Sequence, residues 1–592
     1  MDLVLHGWTV SAAGEELRLA PPPRIADAHE EKARVQAQLS VEREHQLQEP
    51  SVREFIQRME RRRLHKGERR SVFSLFRDGR DLAAALASVG GDVVRLREVV
   101  SPYLQIIRGE ERCPDTGLML RDVWRYFRHT WATPYKLTPG RGMAVLVRDA
   151  AVLPHAVIGI ALIGSPASQI SCRDAWIGWS SDAVLEECRT RPSMARADWI
   201  ERTLREELDE VFRADLVADG VIAPQELVSP TPDTLRRLRE EAVLRRREHQ
   251  RFSAAADLKR DANAAAGDDE AWERMAQTPL YRAKRAELLA SLLRVRAAIP
   301  PLGLADTATL SAFASTGEGA SAIRTLARRS KARRMGVAVG EIAVCGAAAP
   351  YRELLGGKLV SMLLMSPEVR MAYAERYDES ESIIASATAG RAIRRDPSLA
   401  LLMTTSLYGS SASQYNRLRL PRAPLGGVGP DLEYHELALT EGYGSSQFSE
   451  DTLVALSNLL AQEGDGRRIN SVFGEGVNPR LRKAREGLEL LGLPAGALLK
   501  HGSPRLVYAV PLADNIHSYL QGLDPEVRWS VPGDDPSAAT QAIAEWWRSR
   551  WLAARSTKPE VLSAVARHTL DLPVRHGARV ELPEERQGEL FR

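Results

Sequence analysis

A charged, helix-favouring stretch at residues 200–300 separates two regions that carry short apolar runs of strand length. Before it stand Met143–Arg148 and Val157–Leu162, the latter VIGIAL, closed by Gly164 and Pro166. After it stand Gly336–Val344, Ala400–Thr405 and Arg505–Val510. The intervening LRRLREEAVLRRREHQRF and YRAKRAELLASLLRVR read as two long helices, ended by Pro300 and Pro301. Runs this short are single strands of a sheet. The expected class is α+β: a helical N-terminal region, a central mixed-sheet core and a charged helical insertion. No repeat at a fixed period is evident, which argues against a solenoid.

The expected boundaries are 1–110 for the helical region, 111–199 for the first part of the core and 200–300 for the insertion. Residues 301–435 form the second part of the core. Residues 436–522 read as helix, basic helix and strand, a winged-helix-like nucleic-acid module. Residues 523–592 read as a helical, then loosely ordered tail. Trp176–Trp179 is a further strand candidate, and Gln414–Arg419 is expected to return antiparallel to Ala400–Thr405. Lys66 and Gly67 break the helix that precedes them.

The 81 Lys and Arg balance 78 Asp and Glu, a net charge of +3, so an electropositive site must arise by local clustering. Four scattered cysteines form no CxxC pair and are expected to be reduced. The longest apolar runs are too short to span a bilayer, and the N-terminus lacks the pattern of a leader peptide. No membrane contact and a cytoplasmic location are the expectation.

Local clusters supply the candidate sites. Arg480, Arg482, Lys483 and Arg485 surround the start of a helix, and Lys500, His501 and Arg505 follow it. Loop and basic helix together suit a phosphate backbone, DNA ahead of RNA. Gly356, Gly357 and Lys358 precede an apolar helix, where free N–H groups would meet an anion. Leu359 replaces the hydroxyl residue of a true phosphate loop. Gly442, Tyr443 and Gly444 form a second glycine loop. Tyr415 and Asn416 belong to a polar cluster after an apolar run. Arg148, Asp149, Arg173 and Asp174 stand near strand ends, and together with Lys358, Arg391, Tyr415 and Asn416 would line a cleft. Asp149 and Asp174 would there be catalytic, or ligands of Mg²⁺. Structural Arg–Asp bridges are the competing reading. The histidines show no metal-ligand spacing, and the cofactor is otherwise open.

Longer strings carry a family likeness. They include RCPDTGLMLRDVWRYFRHTW at Arg112–Trp131, PGRGMAVLVRDAA at Pro139–Ala151 and HAVIGIALIGSPASQISCRDAWIGW at His155–Trp179. LLGGKLVSMLLMSPEVR, IASATAGRAIRR, TTSLYGSSASQYNRL, TEGYGSSQFSEDT, GEGVNPRLRKAREGLELLGLP and LLKHGSPRLVYAVPLADN follow in order, ending at Asn515. Together they resemble the DruA family of the Druantia anti-phage defence system. The resemblance implies a bacterial defence role, with nucleic acid and other proteins of a defence operon as partners. It fixes neither oligomeric state nor mechanism. Part of the family is similar to acyl-CoA-dependent acetyltransferases, through strands like Val157–Leu162 and the loop after them. This chain has Gly159, Gly164 and Ser165 there, without a Gln/Arg-x-x-Gly-x-Gly/Ala phosphate loop. Three readings follow: a nucleic-acid-binding defence protein, a metal-dependent nuclease or acyl-CoA-type transferase, and a helical assembly protein.

Overall fold

The computed structural model describes residues 2–5, 8–13, 16–20, 27–131, 133–135, 140–252, 267–407, 414–440, 444–445, 448–463, 479–500 and 505–570. Seven strands form one sheet: β1 (Pro102–Ile106), β2 (Gly142–Asp149), β3 (Ala156–Gly164), β4 (Val339–Ala347), β5 (Leu401–Thr405), β6 (His435–Leu439) and β7 (Leu506–Pro511). Their order is β6-β7-β5-β4-β3-β2-β1. Every neighbouring pair is antiparallel except β4 and β5. The sheet is therefore shared between the chain before and the chain after the charged helices, and its mostly antiparallel order with helices packed on it is an α+β arrangement.

Strand periodicity sends alternate side chains to two helical layers. On β2, Val145 and Val147 join a core with Leu359, Val360, Leu363 and Trp547, while Leu146 faces Trp124 and Phe127. Helices Gly356–Leu363, Pro367–Tyr377 and Pro536–Trp547 cover the first face; Pro50–Glu60 and Leu120–His129 cover part of the second. Burying both faces explains why β3 reads as a continuous apolar run.

The charged helices Pro232–Phe252 and Pro279–Ala298 pack on each other through Leu238, Ala242, Leu289 and Leu293. Helix Met194–Asp209 packs in the same core through Leu204 and Leu208, and an ion-pair network joins its end to the chain around the sheet: Arg333 reaches Glu207 at 2.9 Å and Glu210 at 2.8 Å, and Arg395 also grips Glu210. Burial alone would raise the Glu210 carboxyl, but the Arg395 and Arg333 guanidinium groups outweigh it and hold its pKa low.

Several local expectations change. Trp176–Trp179 is not a strand; helix Ser171–Ile177 runs into it and ends at Gly178, whose φ of 88° supplies the left-handed cap. Arg173 and Ile177, one helical turn apart, are the buried positions. Gln414–Arg419 does not pair with β5, whose antiparallel partner is β7. The strands of 436–522 do not form a wing of their own but are β6 and β7 of the central sheet. The N-terminal region is largely helical but also carries hairpins at Thr9–Ala20 and Arg63–Arg70 and contributes the edge strand β1.

Candidate functional site: an opening in the centre of the sheet

The parallel pair β4 and β5 stays in register for three residue pairs only: Val339 with Leu401, Gly340 with Leu402 and Glu341 with Met403. Just beyond, β4 carries a bulge. Leu162 of β3 faces Val344 and Ile163 faces Ile342, leaving Ala343 unmatched. A bulge bends its strand, and here pairing to β5 lapses at the same point. Ala343 is consequently exposed, and Cys345 and Ala347 only partly buried, on a strand with neighbours on both sides. The centre of the sheet is open along this edge.

Side chains take over where the backbone ladder stops. Thr404 Oγ1 donates to the Ile342 carbonyl at 3.1 Å, and Gln414 Nε2 donates to the Cys345 carbonyl at 3.0 Å. Lys358 Nζ donates to the carbonyls of Gln414 and Asn416, at 2.9 and 3.1 Å. Burial first, and then the nearby Arg417 guanidinium, lower the Lys358 pKa. Lys358 stands in the first turn of helix Gly356–Leu363, which begins beyond the end of β4. A Cβ on Gly357 would lie 2.5 Å from Gln414 Oε1, and one on Gly356 would lie 2.8 Å from both Ala347 Cβ and the Tyr351 carbonyl. Both glycines are there because segments approach closely. Leu355 and Arg417, which flank the opening, each hold φ at 58°, a costly conformation for side-chain-bearing residues.

Beneath the opening a polar row runs from buried Thr404 and Tyr508 out to exposed Glu436. The strand register aligns Glu436, Tyr508 and Thr404 across β6, β7 and β5. Tyr508 Oη lies 3.1 Å from both Asn416 Oδ1 and Glu436 Oε2. One hydroxyl proton serves one acceptor, so the Asn416 amide turned to present Nδ2 is the arrangement that satisfies all three groups. Tyr415 packs against the rings of Tyr434 and Tyr508, at 4.8 and 5.7 Å. Cys345 Sγ lies 3.3 Å from Ser361 Oγ. Burial pushes its thiol pKa up to about 11, against the opposing pull of Ser361. It is a neutral packing group and not a ready nucleophile.

The opening gathers three of the residues expected to line a cleft: Lys358, Tyr415 and Asn416. Arg391 stands apart, exposed after Gly390, which rests on Phe212. The two Arg–Asp pairs do not converge. Asp149 ends β2 on the sheet edge where the opening lies; Arg173 and Asp174 follow the far end of β3, on the opposite edge. Asp149 accepts from Ser101 N and Ala151 N at 2.8 and 3.0 Å on Oδ1, and from Arg77 Nη1 and Tyr351 Oη at 2.9 and 2.7 Å on Oδ2. Arg148 is buried against Asp115, Gln105 and the His155 carbonyl. Asp174 takes Arg173 Nε at 2.8 Å and Lys331 Nζ at 2.5 Å. Among the described residues no group of three or more His, Cys, Asp or Glu is placed to hold a metal ion.

The basic helix is Pro479–Leu490, in the connection from β6 to β7, which leaves and re-enters the sheet on the edge that carries the opening. Arg480 pairs with Glu450 at 2.9 Å and Arg485 with Glu489 at 3.1 Å. Arg482 and Lys483 are half-buried, and Lys500 is exposed. Burial lowers the Arg505 pKa, opposed by Glu42. Gly444 N donates to the Leu499 carbonyl at 2.8 Å. Gly442, Tyr443 and His501 lie outside the described residues.

Gln414 belongs to the polar cluster that the sequence offered with Tyr415 and Asn416, whereas sequence reasoning missed Ala343, Cys345, Glu436 and Tyr508. Of these only Tyr508 carried a signal, as a polar group within an apolar run. No helix of the described residues is long and apolar enough to cross a membrane.

Comparison with known proteins selects this sheet. The family described as Druantia protein DruA matches residues 97–188 and 325–522. All seven strands fall in those two segments, and the unmatched residues between them hold most of the charged helical block. A Druantia protein DruA from Escherichia coli (strain UMEA 4076-1) is 31% identical over 230 residues, 38% of this chain and 52% of the relative. The chain thus spans about half the length of the curated relative it matches. No solved structure matches.

Proposed function

Because the chain is a DruA-like Druantia protein across its whole sheet, we propose that it acts in anti-phage defence and that the opening between β4 and β5 binds a phosphate-bearing acyl carrier of the CoA type. One observation carries this reading: an exposed residue, Ala343, on a strand inside a seven-stranded sheet, beside a bulge and a helix start. Ligands of open sheets favour the crevice at the carboxyl ends of strands where the connection pattern switches. The likeness of part of the family to acyl-CoA-dependent acetyltransferases agrees with this, although the switch lies after β4 and not after Val157–Leu162.

The residues present fit such a carrier. The β4 edge beyond the bulge has backbone groups that β5 does not pair, suited to an extended amide-bearing arm. The N–H groups at Gly356 and Gly357, with Lys358, suit phosphate. Gln414 holds the Cys345 carbonyl and would yield that bond to an entering ligand. Tyr508, between Glu436 and Asn416, is the group set to hold or move a proton at Oη. The carrier itself would supply an activated acyl group. Titrating the full chain with CoA and with acetyl-CoA by calorimetry tests the reading: saturable binding that is weakened in Gly357→Val supports it, and absence of binding to either sinks it.

A second reading, nucleic acid as a partner with DNA ahead of RNA, is supported by the basic helix Pro479–Leu490 and by Lys500, on the same edge of the sheet as the opening. It is compatible with acyl transfer, since the two use different surfaces.

A further inference from the structure

Between Arg61 and Arg70 the chain carries Arg61, Arg62, Arg63, Lys66, Arg69 and Arg70 against the single carboxylate of Glu68. The segment folds as a two-stranded ribbon, with Arg63 opposite Arg70, Leu64 opposite Arg69 and His65 opposite Glu68. Lys66 and Gly67 form its turn with φ of 49° and 82°, the mirror-image geometry that matches strand twist. An isolated two-stranded ribbon is marginal in water, but this one is anchored. The His65 ring lies 3.0 Å from the Pro114 carbonyl and sits against Gly117. Helix Pro50–Glu60, fixed by buried Val52, Phe55, Ile56 and Met59, feeds directly into it.

The alternation of a strand puts Leu64 and Arg69 on the face turned away from His65. Leu64 is 77% exposed. Arg61, Arg62, Lys66 and Arg69 are exposed, and their side chains make no ion pair or hydrogen bond with another described residue. In the charged helix Pro232–Phe252 several arginines are neutralised where they stand. Arg236 pairs with Asp233 and Glu240, Arg245 with Glu241 and Glu248, and Arg246 with Glu287. Gathering unpaired cations on one narrow projection costs self-repulsion that folding does not require. An anionic partner removes it. The ribbon also lies outside the segments that match the family, so it is an addition to the shared core.

We propose that this ribbon is a DNA-binding arm that enters the major groove of duplex DNA. The proposal rests on nucleic acid being a partner and names the surface that holds it. A two-stranded ribbon fits the B-form major groove, about 12 Å wide, whereas the deep, narrow groove of A-form RNA excludes it. Arg61, Arg62, Lys66 and Arg69 meet phosphates on the groove walls. Leu64, on the outward face, makes the apolar contact with base edges.

The test is salt-dependent binding of a 30-base-pair DNA duplex to the full chain, wild type and Arg61→Ala/Arg62→Ala/Arg69→Ala. All three side chains are exposed, and the thermal midpoint of the triple variant checks that it folds. Leaving three phosphates without their guanidinium partners lowers the slope of log K against log salt by about 2.7, so the affinity ratio between 50 and 200 mM salt shrinks about 40-fold. Arg236→Ala/Arg237→Ala, which removes cations already paired, leaves the slope unchanged. Leu64→Asn weakens duplex binding with the slope nearly preserved. An unchanged slope and affinity in a folded triple variant overturns the arm while leaving DNA as a partner. A wild type that ignores the duplex at 50 mM salt overturns both, and equal or tighter binding to duplex RNA or to anionic vesicles overturns the groove assignment.

Discussion

Replacing Asp149 by Asn separates a structural from a chemical role for this carboxylate. Asp149 is 0% exposed, and both oxygens are in use: Oδ1 takes two backbone N–H groups, Oδ2 takes Arg77 and the Tyr351 hydroxyl. Asn has almost the same shape but one acceptor. Whichever way it turns, its NH₂ faces two donors, and two hydrogen bonds disappear. Two unmet buried donors cost about 1–3 kcal/mol each. The Arg77 side chain, 9% exposed, is also left without its counter-ion, and breaking a buried pair from one side costs about 3–5 kcal/mol. The two figures describe the same loss and agree. For a cooperative unit of about 150–250 residues, where each kcal/mol moves the midpoint by about 2–4 °C, Asp149→Asn should melt about 6–20 °C below wild type. Circular dichroism melts and soluble yield, read beside phage protection in the same strain, measure it. A variant that melts with the wild type yet loses protection would refute the structural account.

Gly357→Ala should weaken binding of the acyl carrier with a near-native midpoint, and Gly357→Val should weaken it further, since an added Cβ meets only the end of the Gln414 side chain; calorimetry and a melt check both halves. Arg482→Ala with Arg485→Ala should lower the salt slope of DNA binding by about 0.9 for each phosphate that the helix no longer neutralises, and an unchanged slope removes that helix from the interface. Glu353 is held down to about 2, chiefly by the His568 ring and against the opposing effect of burial, with Arg352 assisting. A depressed carboxyl stabilises above its free value near 4.5 and loses that contribution as pH falls toward 2. Helix Pro559–Ala566, tethered through His568, should therefore loosen across that window by hydrogen exchange, and Glu353→Gln should flatten the response.

Much of the sheet was legible because apolar runs of strand length bounded by glycine, proline or charge have few other uses. The runs at 143–148, 157–162, 400–405 and 505–510 lie within a residue or two of β2, β3, β5 and β7. Strand order was not legible, because β7 enters between β5 and β6 through contacts distant in sequence. Lys358, Tyr415 and Asn416 could be grouped as polar residues beside apolar runs. The exposure of Ala343 could not, since a bulge depends on register with a partner strand. Placing Arg148–Asp149 and Arg173–Asp174 in one cleft was avoidable: consecutive strands of a hairpin end on opposite edges of a sheet. The basic charge of Arg58–Arg70 was legible as a patch suited to nucleic acid, but its ribbon form was not, because Lys66–Gly67 reads equally as a helix stop and as a two-residue turn.

The divided origin of the sheet has a consequence during synthesis. β3 ends at Gly164, and its partner β4 begins at Val339, 175 positions later (339 minus 164). At about 5–20 residues per second, the ribosome takes about 9–35 s to deliver that partner. Throughout this interval the nascent chain displays VIGIAL with one hydrogen-bonding edge bare, the kind of segment that recruits copies of itself. Neighbouring ribosomes on one message would present the same edge side by side. The helices translated in between thus act as a delay line as well as a bundle, and a chain stalled before residue 339 should depend on a holding chaperone to stay in solution.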